Sequence, residues 1–125
     1  MADDRRVIKI DEGELGVIQI ADEVIAIIAG LAATEVEGVS SMAGNITNEL
    51  VAKLGMKNLA KGVKVELLEN SVIIVVAINV AFGISVPEVS RKVQEKIISA
   101  VETMTGLNVA EVNVKIAGIE MEKES

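Results

Sequence analysis

The sequence predicts an α+β fold: a two-layer α/β sandwich in the order β-α-β-β-α-β, with two main helices on one face of a small mixed sheet. Three observations predict it. Val72 to Val80 is a run of Val, Ile and Ala broken only by Asn79, and it follows the turn-forming pair Asn70-Ser71. Residues 85–106 carry a helical stripe with both ends marked. Val109 to Ile116 alternates apolar and polar residues. A chain of 125 residues, half of them apolar, can bury a core without covalent staples.

The elements follow in order. Residues 1–13 mix charges with Val7, Ile8 and Ile10 and read as a charged tail able to lend an edge strand. Gly16 to Ile20 reads as a short strand. Asp22 is placed to cap a helix in which Val24, Ile27, Ile28 and Leu31 fall at i, i+3, i+4 and i+7. Ile25, Ala29, Ala32 and Ala33 widen that face, so the helix needs cover on more than one side. Gly38 is placed to end it. In residues 39–62, Asn45 or Thr47 could cap a short helix through Glu49, Leu50, Leu54 and Leu59, interrupted by Gly55 and closed by Gly62.

Val63 to Glu69 and Val72 to Val80 read as a β-hairpin. Ser85 and Glu88 form a capping box, with Pro87 in the first turn. Val89, Val93, Ile97, Val101 and Met104 line one stripe of the helix, and Arg91, Lys92, Glu95, Ser99 and Glu102 line the opposite face. Gly106 supplies the stop. In the last strand Ala110, Val112, Val114 and Ile116 point one way, and Glu111, Asn113 and Lys115 the other. The expected domain spans residues 14–119, between the charged tail 1–13 and an acidic C-terminal tail 120–125.

Composition removes several function classes. The chain has no Cys and no His, which excludes disulfides, thiolate chemistry, thiolate-bound zinc and imidazole acid–base catalysis. This usage fits a reducing cytoplasm. A net charge of −7 with Phe82 as the lone aromatic is a poor basis for binding nucleic acid. The charged start Met1 to Arg6 is not expected to be a secretory signal. Val24 to Thr34 is too short to span a bilayer, and Asn70 to Pro87 is β-branched with turn signals at both ends, so no membrane span is expected.

No cofactor or metal is expected either. Neither Gly13-x-x-Gly16 nor Gly55 to Gly62 has the spacing of a phosphate-cradling loop. Asp3, Asp4, Asp11, Glu12 and Glu14 follow no calcium-loop pattern and are interleaved with Arg5, Arg6 and Lys9. Glu23 and Glu35 sit at opposite ends of one helix, about 18 Å apart, too far to share acid–base work. Glu35 is placed instead to pair with Arg91 or Lys92.

The chemistry that remains is that of surfaces. Ile73, Val75 and Ala77 alternate with Val72, Ile74, Val76 and Ile78, so both faces of the hairpin strand are apolar. Each large aliphatic residue left in water forgoes about 1.5–3 kcal/mol. Either the 39–62 segment or the tail folds over that stripe, or a partner does. Lys53, Lys57, Lys61 and Lys64 form a cationic run with no acid among them. It is either a solvated helix face or a contact for an anionic partner. Ile73, Val75, Ala77, Lys53, Lys57, Lys61 and Lys64 are therefore the candidate interaction residues.

Three segments carry a resemblance: Glu23-Val24-Ile25 through Ile28-Ala29-Gly30-Leu31-Ala32-Ala33 to Glu35-Val36-Glu37-Gly38-Val39; Phe82-Gly83-Ile84-Ser85-Val86-Pro87-Glu88-Val89 with Val93-Gln94-Glu95; and Met104-Thr105-Gly106-Leu107 with Val112-Asn113-Val114-x-Ile116-x-Gly118-Ile119. With Gly62-Val63-Lys64-Val65, they resemble the alkaline-shock-protein (envelope stress response) family over residues 14–119. The resemblance implies a small cytoplasmic protein of Gram-positive-type bacteria, linked to envelope and alkaline stress, with no catalytic site to carry over. In some members it implies a protein partner, a membrane-anchoring protein that holds them at the inner membrane face. The expectation of a homo-oligomer rests instead on the apolar stripe of the hairpin strand, which suits self-association as well as a partner. Another branch is encoded beside acetyl-CoA carboxylase subunits and is linked to fatty-acid synthesis. Met42-Ala43-Gly44-Asn45 and the Gly55-Met56-Lys57-Asn58 insert look more like that branch. Many members carry Tyr in the long strand where this chain has only aliphatic residues.

Overall fold

The computed structural model describes residues 7–44 and 55–121. Its elements are β1 (Val7–Gly13), β2 (Gly16–Ala21), α1 (Asp22–Thr34), β3 (Val39–Met42), a 3-10 helix (Met56–Gly62), β4 (Val63–Leu67), β5 (Ser71–Ala81), α2 (Val86–Thr105) and β6 (Asn108–Glu120). The fold is α+β, with the two helices on one face of a mixed sheet.

β5 is the hub of that sheet. β6 runs parallel along one of its edges, from Ser71 opposite Asn108 to Ala81 opposite Glu120. A parallel pair needs a long crossover, and α2 provides it. The second edge is shared end to end. β4 lies antiparallel along Val72–Val76, and β3 lies antiparallel along Ile78–Val80. Val72, Ile74, Val76, Ile78 and Val80 are all but fully buried beneath the helices.

α2 has the ends its sequence specifies. Ser85 Oγ accepts from the Glu88 N–H at 3.4 Å, and Gly106 closes the helix with φ +76°, its N–H donating to the Glu102 carbonyl at 2.9 Å. Val89, Val93, Ile97 and Val101 are buried. The stripe then continues to Thr105, and Met104 is 69% exposed. The reason is the helical step: each buried position lies four residues after the last, so Thr105 inherits the ridge. Its hydroxyl donates to the Val101 carbonyl at 2.6 Å and accepts from the Leu107 N–H at 3.1 Å.

α1 buries a different face from the one its large residues suggest. Ile25, Ala26, Ile28, Ala29, Gly30, Ala32 and Ala33 are buried, while Val24 is exposed and Ile27 and Leu31 are half-buried. Small side chains win because they let neighbouring elements approach closely. At Gly30 an added Cβ would lie 2.7 Å from the Leu59 carbonyl oxygen of the 3-10 helix. Two terminal signals are also reassigned. Ala21, not Asp22, is the N-cap, and α1 ends at Thr34, ahead of Gly38. Gly38 serves the turn into β3 with φ +101°.

The N-terminal segment forms its own two-stranded antiparallel sheet, β1 with β2, and not an added edge of the main sheet. Gly13 and Gly16 pair across a turn made by Glu14 and Leu15. Ile8 anchors this hairpin in the core. In the 39–62 region the structure adds β3, and Leu59 is buried in a 3-10 helix that begins after Gly55. Asn45, Thr47, Glu49, Leu50 and Leu54 lie outside the described residues.

One polar cluster ties the three strands at the far end of the sheet. Asn79 Nδ2 donates to Ser41 Oγ at 2.9 Å and to the Met42 carbonyl at 3.3 Å. Ser41 Oγ donates to Glu120 Oε1 at 3.1 Å. Gly118 makes room: a Cβ there would come within 2.9 Å of Asn79 Oδ1.

Candidate interaction surface

The face of the sheet turned away from the helices is built row by row from the strand register. Ile73 lies between Glu66 of β4 and Glu111 of β6. Val75 lies between Lys64 and Asn113. Ala77 lies beside Lys115, with Gly62 on its other flank. Ile73, Val75 and Ala77 are half-buried, and Lys64, Glu66, Glu111, Asn113 and Lys115 are exposed. An apolar stripe with charged flanks therefore meets solvent.

The lower part of this face holds a shallow cleft of about 140 Å³, floored by Val75 and Ala77 and rimmed by Lys61, Lys64 and Lys115 with Ala43 and Gly62. The 3-10 helix positions Lys61, β4 positions Lys64, and the parallel register of β6 delivers Lys115. Of the five sequence candidates whose side chains the structure describes, Val75, Ala77, Lys61 and Lys64 thus line one cleft, and Ile73 sits in the next row. Lys53 and the side chain of Lys57 lie outside the described residues. Lys115 joins this group only through the fold, since fifty residues separate it from Lys64.

The ion pairs among the described residues leave these lysines aside. They are Lys9–Glu12 at 3.5 Å and Lys96–Glu35 at 3.9 Å. Glu35 thus answers Lys96 of α2, one turn beyond the Arg91 and Lys92 that the spacing suggested. Both partners are about half exposed, so the pair adds little to stability.

A larger cleft of about 530 Å³ follows the outer side of β4, with Asp22, Glu23, Lys64 and Glu66 among its lining residues. Among the described residues no three carboxylates converge closely enough to hold a metal ion. Among the same residues, no helix is long and apolar enough to cross a membrane.

Comparison with known proteins decides the family. The model of the alkaline shock protein 23 family, described by its cell envelope-related function, matches residues 10–121. The chain belongs to this family. The alkaline-shock-protein family is not a known enzyme family. The chain is also similar to proteins named as uncharacterized: YqhY of Bacillus subtilis is 41% identical over 98% of this chain and 92% of its own length. Spy1614 of Streptococcus pyogenes is 33% identical over 88% of this chain and 93% of its own. YloU of Bacillus subtilis is 35% identical over 83% of this chain and 88% of its own. No solved structure matches the chain.

Proposed function

We propose that this member of the family works without catalysis, as a cytoplasmic interaction protein of the cell envelope that presents the open sheet face to an acidic protein partner. The observation that carries the reading is the cleft in which Lys61, Lys64 and Lys115 surround the aliphatic floor of Val75 and Ala77. An apolar centre with a charged rim is the usual anatomy of a protein contact. The cations set the sign of the partner even though the chain as a whole carries −7. A partner anchored in the membrane would hold the chain at the inner face, where it would serve as a scaffold under envelope stress.

The experiment compares tagged wild-type protein with the Lys61→Glu/Lys64→Glu/Lys115→Glu variant as bait in envelope extracts. An acidic protein retained by the first and lost by the second supports the reading. Identical retention by both baits overturns it.

A second reading has its own support. Met42-Ala43-Gly44-Asn45 looks like the branch encoded beside acetyl-CoA carboxylase subunits, and Ala43 of that stretch lines the same cleft. On this reading the chain regulates the carboxylase, and so fatty-acid synthesis, through the same face. Purified carboxylase subunits titrated against the chain separate the two. Binding abolished by Lys64→Glu favours the carboxylase, and no binding discards it.

A further inference from the structure

The outer edge of β6 stands apart from the face just described and points to a second copy of this chain. β6 is the longest strand of the fold, and among the described residues its only strand partner is β5. Which backbone groups face outward follows from the hydrogen bonds. The Ala77 carbonyl accepts from the Ala43 N–H at 3.0 Å, so odd-numbered residues of β5 turn toward β3 and β4. Ile74, Val76 and Ile78 then turn toward β6 and bond the residues flanking their own partners there. Glu111, Asn113 and Lys115 are consumed by that ladder. Val112, Val114 and Ile116 are left with N–H and C=O directed away from the sheet. The Gln94 amide of α2, which donates to the Val112 carbonyl at 3.0 Å, meets it on this outer side.

Such an edge is a ready template for another strand, and proteins usually blunt it with proline, charge or bulges. Within the stretch 111–116 β6 has no proline and no register shift, and its two charges there, Glu111 and Lys115, are of opposite sign. Glu102 takes the Val109 N–H at 2.9 Å, which closes one end of the edge and leaves the stretch beyond it free.

We propose that two copies pair antiparallel through this edge, about a two-fold axis at Asn113. In this register Val112 of one copy exchanges hydrogen bonds with Val114 of the other, and both residues carry outward groups. The Val112 carbonyl has a second lone pair, so Gln94 keeps its bond. Glu111 then stands opposite Lys115 of the second copy, twice over, at non-hydrogen-bonded positions where side chains are closest. Shifting the axis to Val112 or Val114 destroys both opposite-charge pairs, so charge selects the register. The occupant is a copy of the same chain because the edge complements itself.

The test is the mass in solution, by light scattering across a concentration series. The unmodified chain gives a species of twice the 13.2 kDa chain mass. Glu111→Lys alone and Lys115→Glu alone, both at exposed positions, weaken association about tenfold or more, and the double exchange restores it. Lys64→Glu, on the other side of the open face, leaves association unchanged. Circular dichroism confirms that each variant is folded. A monomer at every concentration overturns the proposal, as does a dimer indifferent to the single reversals. A double exchange that fails to restore association overturns the register.

Discussion

The two faces of β5 are made of the same residue types and have opposite fates. Val72, Ile74, Val76 and Ile78 lie beneath α1 and α2 with no exposure, packed against Ile25, Ile28, Val93 and Ile97. Ile73, Val75 and Ala77, one residue out of phase, lie among Lys64, Glu66, Glu111, Asn113 and Lys115. The difference is in the neighbours, not in the strand. The first face is closed by small residues on α1 that admit close packing. The second is flanked by strands whose outward positions are charged. A helix-covered face fixes the fold, and a charge-flanked face is left half-exposed.

Substitutions that alter one face at a time sharpen this contrast. Ile74→Ala opens a cavity under the helices and is expected to cost about 2–5 kcal/mol in chemical denaturation. Gly30→Ala inserts a methyl against the Leu59 backbone. It is expected to cost about 1–3 kcal/mol despite the gain in helix propensity. Ile73→Ala, the mirror of the first change, is expected to cost about 1 kcal/mol or less, with its larger effect in retention of the proposed acidic partner. Equal losses from Ile73→Ala and Ile74→Ala would show that the two faces are alike and end the comparison. Lys64→Glu is expected to move stability by no more than about 0.5 kcal/mol while weakening that retention.

The sequence carried some of this fold and hid the rest for identifiable reasons. α2 was legible from end to end because Ser85, Pro87, Glu88 and Gly106 are local signals that need no tertiary context. β6 was legible because period-two patterning survives where one face is buried, and the β4–β5 hairpin because a long β-branched run follows the Asn70-Ser71 turn signal. The orientation of α1 was not. Its burial is set by how closely Ala29, Gly30 and Ala33 let neighbours approach, and hydrophobicity alone favours Val24 and Leu31. The β1–β2 turn at Glu14-Leu15 lacks the usual Asn-Gly or Asp-Gly signal, so the charged strand β1 read as a tail, although Gly16 to Ile20 was legible as a strand. The stripe at Ile73, Val75 and Ala77 follows from alternation. The meeting of Lys115 with Lys61 depends on a parallel register set by the crossover helix, which no local pattern encodes.

The cluster of Asn79, Ser41 and Glu120 has a consequence for how a strand so monotonous finds one alignment. Val, Ile and Ala recur along β5 so evenly that sliding it by two residues against β6 would bury nearly the same hydrocarbon. The amide of Asn79 cannot slide with it. Displaced, it would lose Ser41 and the Met42 carbonyl, and its oxygen would face a side chain in place of bare Gly118. A buried amide without partners costs about 1–3 kcal/mol, a penalty that greasy side chains cannot impose on their own misalignment. One asparagine thus acts as the key that tells an otherwise repetitive strand where to stop.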